Sequence, residues 1–145
     1  MNHHVNRLDQ IAPMESKVRI TDLPDHGDAR GYSFTAPAEA LEFVGAIKDM
    51  HFASVLPGAV RGNHFHLRRR EAIVILAESP WSFHWHNIGG ATPQRADFSR
   101  TGATLILIVP GAAHAVRNDG NKVLSLVAFS SEPYDPAETV ARKLI

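Results

Sequence analysis

Between residues 50 and 130 the chain is a succession of short segments rich in β-branched and aromatic residues. Turn-forming stretches such as PG, ESP, GGATP and NDGN separate these segments. Many short strands repeating every 8–12 residues or so are typical of β-sandwiches and β-barrels. The predicted strands are 50–56, 59–67, 71–78, 81–88, 104–109, 114–118 and 122–130. This pattern predicts an all-β fold.

The segments on either side of this region add a few further elements. Residues 17–23 alternate apolar and polar side chains and predict a strand, and residues 32–36 predict another after a turn-rich stretch. A helix is predicted over 37–47, because a Pro stands at its start and a Gly near its end. A second short helix is predicted after Asp135 and Pro136 at the C-terminus.

The length of 145 residues predicts one domain, which we place at 17–145 with its core at 50–130, behind an N-terminal arm of residues 1–16. Fifteen basic residues balance fifteen acidic ones, so the net charge favours neither nucleic acid nor a membrane surface as a partner. The N-terminus has no apolar signal region, and the longest apolar run, 105–109, is too short to span a bilayer. We therefore expect a cytoplasmic protein.

The chain contains no cysteine but nine histidines. The absence of cysteine excludes disulfides, thiolate metal sites and a cysteine nucleophile. Any metal ion must therefore be held by histidine, carboxylate or water.

The first of two His-X-His triplets, His64 and His66, is the strongest candidate for a metal site. Residues i and i+2 of a strand share one face, so the two imidazoles can bind one ion. Gly62 is expected on the same face, where it leaves room for a bound group. If the flanking strands form a hairpin, Glu71 returns beside the imidazoles, and His114 follows a Pro-Gly turn later in the chain. Three imidazoles and one carboxylate suit Zn, Fe, Mn, Ni or Co.

The second triplet, His84 and His86, lies in the predicted strand 81–88, where aromatic residues alternate with polar ones. No carboxylate follows it at a comparable spacing. The favoured interpretation places the aromatic side chains in the core and the histidines at the surface. The alternative places His84 or His86 in the lumen of a barrel, as a catalytic base or a substrate contact.

Several other polar residues are candidates with weaker support. Arg61, on the strand of the first triplet, is a candidate for binding an anionic substrate group. The arginines 68–70 could pair with a diphosphate or form a solvated hairpin. His51 is a candidate base, and Asn118 either contacts substrate or ties down a turn. Two phenols are candidate proton donors, those of Tyr32 and Tyr134.

Together, these residues resemble the two characteristic motifs of the cupin superfamily. The matching positions are Gly58, His64, His66 and Glu71 in the first motif and Gly111, His114 and Asn118 in the second. Glu78 and Ala103 stand where the motifs have glycine, and Pro110 is displaced by one residue. The resemblance implies a small jelly-roll β-barrel with a metal ion held by His64, His66, Glu71 and His114.

A narrower resemblance rests on the strings RGNHFH, VPGAAHAVRN and SSEPYDPAET. They are similar to the C-terminal cupin of capsular-polysaccharide enzymes that act on UDP-linked sugars, and RGNHFH is similar to strings in nucleotide-sugar 3,4-ketoisomerases. This resemblance implies a zinc-dependent epimerase or isomerase of a nucleotide-linked keto-sugar, and cupins are commonly homodimers. Two alternatives stay open: an oxygen-using dioxygenase with Fe or Ni, and a non-catalytic module that binds a small molecule.

Overall fold

The computed structural model describes residues 18–87, 89–90 and 92–145, so the predicted N-terminal arm lies outside the described residues. Within this part of the chain the fold comprises ten strands, one α-helix and one 3₁₀ helix. The strands are β1 (Val18–Leu23), β2 (Asp49–Val55), β3 (Val60–His66), β4 (Glu71–Ala77), β5 (Trp81–Asn87), β6 (Gln94–Phe98), β7 (Gly102–Ile108), β8 (Ala112–Asn118), β9 (Leu124–Ser130) and β10 (Thr139–Ala141). The helix α1 is Ala38–Val44, and the 3₁₀ helix is Pro136–Glu138.

The strands form two antiparallel five-stranded sheets, which confirms the predicted all-β jelly-roll fold. The first sheet has the order β1-β7-β4-β9-β2 and the second the order β10-β3-β8-β5-β6. Alternate side chains of both sheets meet in one apolar core, among them Ile75, Ile106, Phe83 and Val116. None of the helices in the described residues is long and apolar enough to cross a membrane.

Helix α1, predicted over 37–47, is confirmed and packs on the outer face of the first sheet. Its buried residues Ala40 and Val44 join a second apolar cluster with Leu105 and Leu107. The guanidinium of Arg70 donates to the carbonyl oxygens of residues 43 and 44 at the C-terminal end of the helix, at 2.9 and 3.3 Å. The start of β4 is thereby tied to the helix.

The strand predicted over 32–36 is wrong. Residues 25–33 form a turn in which the Asp25 carboxylate accepts hydrogen bonds from the amides of Gly27 and Ser33, at 2.7 and 3.0 Å. Because these hydrogen bonds hold the chain in a local turn, residues 32–36 do not pair with a neighbouring strand. Phe34 instead packs into the cluster beneath α1.

The predicted C-terminal helix is also wrong, because it is limited to the three-residue 3₁₀ turn. The Asp135 carboxylate caps this turn by accepting a hydrogen bond from the amide of Ala137 at 3.0 Å. The chain then extends as β10, which pairs with β3. An open sheet edge offers backbone partners that a short isolated helix lacks, so tertiary pairing overrides the local helical signal. Strand β6 was not predicted, because its residues are mostly polar.

A β-bulge interrupts the pairing of β3 with β8 between Gly62 and His64. Gly62 and Asn63 both have positive φ, 96° and 56°. A Cβ atom at Gly62 would lie 2.6 Å from the carbonyl oxygen of His114, so glycine permits close strand contact here, and the residue also lines both cavities beside the histidines. Bulges re-aim side chains, and this one brings Arg61 and His64, three residues apart, to the same cavity.

We predict that Gly62→Ala lowers the free energy of unfolding by about 2–3 kcal/mol, because the methyl group adds a collision with backbone to the strain of positive φ. Gly58→Ala is the matched control, since Gly58 also has positive φ (78°) but open space around its Cβ position. We expect a cost of about 1 kcal/mol there. Urea denaturation measures both values, and equal costs would contradict the role given to the close strand contact.

Candidate metal centre

Three histidines converge from two neighbouring strands of the second sheet. His64 and His66 lie on β3, and His114 lies opposite His64 on β8. Each imidazole offers one nitrogen within 4.8 Å of the others. The rings of His64 and His114 meet edge to face, with centroids 4.9 Å apart. Pairing of β3 with β8 therefore brings together residues that are 48 or more positions apart in the sequence.

Glu71 reaches this cluster from the first sheet. Its Oε1 lies 2.8 Å from Nε2 of His66 and 3.7 Å from Nε2 of His114. The predicted hairpin between β3 and β4 is wrong, because the two strands belong to different sheets. The carboxylate instead crosses the space between the sheets, so the cluster joins both layers of the fold.

The four side chains fit a divalent metal ion. Oε1 of Glu71 is buried, yet no group in the described residues donates a hydrogen bond to it at an acceptable angle. A buried carboxylate oxygen without a partner is costly, and a cation among the imidazole nitrogens would compensate it. Nδ1 of His114 bonds to the carbonyl oxygen of Ala112 at 3.0 Å, which leaves Nε2 for the cluster. Three nitrogens and one oxygen suit Zn²⁺, and also Fe, Ni, Mn or Co.

The electrostatics of the cluster favour the protonation states that metal ligands need. Burial raises the pKa of Glu71, but the approach of His66 and the charge of His114 outweigh it and lower the pKa to about 2. Burial, together with the charges of His114 and His66, lowers the pKa of His64 to about 4. Burial also lowers the pKa of His114. At neutral pH the carboxylate is therefore ionised and these two imidazoles are neutral.

His66 behaves differently from the other two histidines. Burial opposes its protonation, but the carboxylates of Glu71 and Glu138, one beside each ring nitrogen, outweigh burial and raise its pKa. The two carboxylates therefore favour the protonated ring, and a metal ion at Nε2 would compete with that proton.

Two adjoining cavities open above the cluster. The larger, of about 470 Å³, is lined by His64, His66, Glu71, His51 and Tyr134 among others. The smaller, of about 140 Å³, is bordered by His51, Arg61, His64, Glu71 and His114 and by apolar core residues. The structure therefore brings His51 and Arg61, predicted as base and anion-binding residue, to the same space as the cluster.

His84 and His86, the residues of the second triplet, lie away from the cluster and its two cavities. Phe83 points into the core and its ring stacks on His114, so the neighbouring His84 faces the opposite side of β5. Nε2 of His84 bonds to the hydroxyl of Ser82 at 2.9 Å, and Nε2 of His86 bonds to the carbonyl oxygen of Gly90 at 2.9 Å. Neither residue lines the two cavities.

Asn118 does not line the two cavities, and its contacts agree with the expected alternative that it ties down a turn. Its buried amide nitrogen donates to the carbonyl oxygens of Val55 and Lys122, at 2.8 and 2.7 Å. Its side-chain oxygen accepts from the amide of Gly120 at 3.0 Å. Asn118 therefore ties together the turns at one end of the barrel.

The three arginines contact neighbouring groups of the protein, and Arg69 also lines the larger cavity. Arg68 pairs with Asp135 at 3.3 Å. Arg69 is buried and contacts Asp49 and Glu138, each at 3.5 Å, while Arg70 bonds to α1 as described. They fix the crossing from β3 to β4 that positions Glu71. Tyr32, a predicted proton donor, lies in a separate groove with Leu76 and Val123.

Sequence reasoning missed one residue of this region, Glu138. Its carboxylate is fully buried, with Oε1 2.6 Å from Nδ1 of His66. The local sequence, Asp-Pro-Ala-Glu, indicates only the start of a helix. The sequence does not indicate that β10 pairs with β3 and so brings this residue beside His66.

We predict that the metal-free protein loses stability at His64 as the pH falls from 6.5 toward 4. The unfolded chain binds a proton at this imidazole near pH 6.5, whereas the folded protein does so only near pH 4. Between pH 7 and pH 5, wild type should lose about 1–2 kcal/mol more than His64→Asn. Urea denaturation with a chelator present measures the difference. Parallel losses in the two proteins would contradict a depressed pKa, and the comparison with the variant separates His64 from the opposing effect of His66.

Comparison with known proteins places the fold and the cluster in context. Residues 26–140 match the profile of the family described as the polysaccharide biosynthesis C-terminal domain. No curated protein sequence matches the chain.

Three examples illustrate the solved structures that share the fold. A 3,4-ketoisomerase from Thermoanaerobacterium thermosaccharolyticum, bound to TDP-4-keto-6-deoxyglucose, is 15% identical with a TM-score of 0.67, over 88% of each chain. The capsular polysaccharide assembling protein CapF from Staphylococcus aureus is 17% identical with a TM-score of 0.61, over 86% of this chain and 33% of CapF. The 3′-monoepimerase ChmJ from Streptomyces bikiniensis, bound to dTDP-quinovose, is 18% identical with a TM-score of 0.69, over 85% of this chain and 68% of ChmJ.

At these identities the structures establish a common fold, and they are enzymes of the kinds that the sequence motifs resemble. The predicted resemblance to nucleotide-sugar cupins is confirmed by the family match together with these structures. Because the family profile extends over residues 26–140, the chain belongs to the polysaccharide biosynthesis C-terminal domain family.

Proposed function

We propose that the protein is a metal-dependent isomerase or epimerase that acts on a nucleotide-linked keto-sugar. One observation carries the proposal: a cluster of three imidazoles and one carboxylate borders a cavity of about 470 Å³ that also holds a free-standing histidine, His51. Membership of a polysaccharide biosynthesis family and the nucleotide-sugar ligands of two fold relatives support the choice of substrate class.

In this proposal, four residues of the site bind the metal ion and His51 transfers the proton. A divalent cation held by His64, His66, Glu71 and His114 would stabilise the negative charge that develops on the keto oxygen of the sugar. His51 lies on the edge strand β2, exposed to solvent and bordering both cavities. Its imidazole can take a proton from the carbon beside the carbonyl and return it to a neighbouring carbon or to the other face.

In this proposal, Arg61 at the rim of the smaller cavity binds a phosphate group of the nucleotide. Nε of Arg61 donates to the carbonyl oxygen of Ser54 at 2.6 Å, which orients the guanidinium and leaves its terminal N–H groups for a phosphate. Tyr134, 76% exposed, lines the larger cavity and is the second candidate proton donor. Zinc as the native metal, a homodimer, a cytoplasmic location and the domain limits 17–145 stay predictions within this proposal.

We predict that protein purified without chelators carries about one divalent metal ion per chain, and that His64→Ala carries almost none, because three ligands hold the ion less tightly than four. Elemental analysis measures the content. His84→Ala is the matched control, since His84 lies on the outer face and should leave the metal content unchanged. A wild-type protein that carries no metal under any loading condition would exclude the four-ligand site.

We predict that the metal-loaded protein exchanges deuterium from D₂O into the carbon beside the carbonyl of a nucleotide keto-sugar. TDP-4-keto-6-deoxyglucose and UDP-linked keto-sugars form the test panel, with NMR as the readout. His51→Asn should slow exchange by about 10²–10⁴-fold at unchanged metal content, because it removes the proton acceptor.

His84→Asn again serves as the control and should exchange at the wild-type rate. No exchange with any sugar of the panel would refute the isomerase proposal while leaving the metal site standing. Oxygen uptake by the iron-loaded protein, in place of exchange, would favour a dioxygenase.

A further inference from the structure

The carboxylate of Glu138 is held rigidly behind the candidate metal centre. The residue is 0% exposed. Oε2 accepts hydrogen bonds from the backbone amides of Arg68 and Arg69, at 2.9 and 3.2 Å. Oε1 lies 2.6 Å from Nδ1 of His66. Both oxygens therefore have defined partners, and the side chain has one favourable orientation.

The backbone that carries Glu138 is fixed to the same strand that it serves. Strand β10 pairs with β3, with Thr139 opposite His66 and Ala141 opposite His64. The amide of Leu67 donates to the carbonyl oxygen of Glu138 at 2.9 Å. The position of the carboxylate relative to the His66 ring is thus set by strand pairing rather than by a flexible loop.

This arrangement selects one tautomer of His66. Carboxylates only accept hydrogen bonds, and one lies beside each ring nitrogen of His66. Nδ1 meets Oε1 of Glu138 with hydrogen-bond geometry, whereas Oε1 of Glu71 receives no hydrogen bond of acceptable geometry from the described residues, so the hydrogen of the neutral ring lies on Nδ1. In the neutral ring the lone pair is then on Nε2, the nitrogen that lies 2.8 Å from Glu71. A carboxylate behind a metal-binding imidazole both orients the ring and makes it a stronger ligand.

We propose that Glu138 is the positioning residue of the candidate metal centre: it holds Nδ1 of His66 protonated and directs Nε2 toward Glu71, His64 and His114. The inference rests on the metal site of the proposed function and extends it to a residue of the C-terminal segment. Glu138 lines neither of the two cavities, and its effect passes through His66.

The variant Glu138→Gln tests the proposal. Its amide must turn its oxygen toward the two backbone N–H groups of residues 68 and 69, so its NH₂ group faces Nδ1 of His66. The ring then accepts at Nδ1, to which the hydroxyl of Thr139, 3.2 Å away, can also donate, and it carries its hydrogen on Nε2, where it blocks a metal ion. We expect the Kd for Zn²⁺, measured by chelator competition, to rise about 10–100-fold. In Glu138→Asp the shorter carboxylate lies further from Nδ1, so we expect a smaller rise in the Kd for Zn²⁺. This variant replaces Glu138→Gln as the test if the Gln variant does not fold.

Asp135→Asn is the matched control, because it removes a carboxylate charge from the same segment and its ion pair with Arg68 without touching His66. Its zinc affinity should stay close to wild type, whatever its thermal stability. If the Gln variant keeps wild-type zinc affinity, or if zinc affinity falls in both proteins in step with thermal stability, Glu138 is structural and the proposal is overturned.

A second readout needs no metal. Nitrogen-15 NMR of the His66 ring in metal-free protein, above the pH at which the ring titrates, should show the hydrogen on Nδ1 in wild type and on Nε2 in Glu138→Gln. An unchanged ring in the variant would overturn the positioning role. A wild type that binds no Zn²⁺ would count against the proposed function alone, while the location of the ring hydrogen still decides the role of Glu138.

Discussion

The imidazole of His66 lies between two carboxylates that come from distant parts of the chain. Glu71 approaches Nε2 from the opposite sheet at 2.8 Å, and Glu138 approaches Nδ1 from the C-terminal segment at 2.6 Å. These contacts join the first sheet, the second sheet and β10 at one buried point. Their strength depends on water being excluded, because charge interactions weaken steeply in a high dielectric. The jelly roll buries all three side chains, each of which is less than one-tenth exposed.

Burial of so many polar groups needs compensation, and the surroundings of the cluster supply most of it. The backbone of residues 68–69 satisfies Glu138, the carbonyl oxygen of Ala112 satisfies Nδ1 of His114, and Arg69 offsets the negative charge. Among the four candidate ligands, Oε1 of Glu71 is buried without a hydrogen-bond partner in the described part of the chain. A cation among the imidazole nitrogens would compensate this oxygen.

Much of the fold could be predicted, because strand periodicity and turn residues are local signals. The strands near 50–56, 71–78 and 122–130 and the helix near 37–47 follow from side-chain alternation, proline and glycine. The failures share one physical cause. Residues 32–36 form no strand, because Asp25 binds the neighbouring segment locally. The C-terminal segment pairs with the free edge of β3 instead of continuing as a helix. Strand β6 forms without an apolar signal, because β5 provides an edge with which it pairs. The structure of such marginal segments depends on whether a partner strand is available, and the sequence of the segment does not show this.

By itself, the sequence determined the all-β class and the identities of His64, His66, Glu71 and His114 as one group, because residue type and motif spacing are enough to select them. It also placed His51 and Arg61 among the candidates. Only the tertiary structure decided that Glu71 arrives from the opposite sheet, that the bulge at Gly62 brings Arg61 to the cavity, and that His84, His86 and Asn118 lie away from it. Glu138 was decided by tertiary structure alone, since its partner is 72 positions away and the contact exists only once β10 pairs with β3. The distances between strands and the direction in which each strand face points are set by packing and strand pairing. These interactions act between distant segments, so the sequence of a single segment does not reveal them.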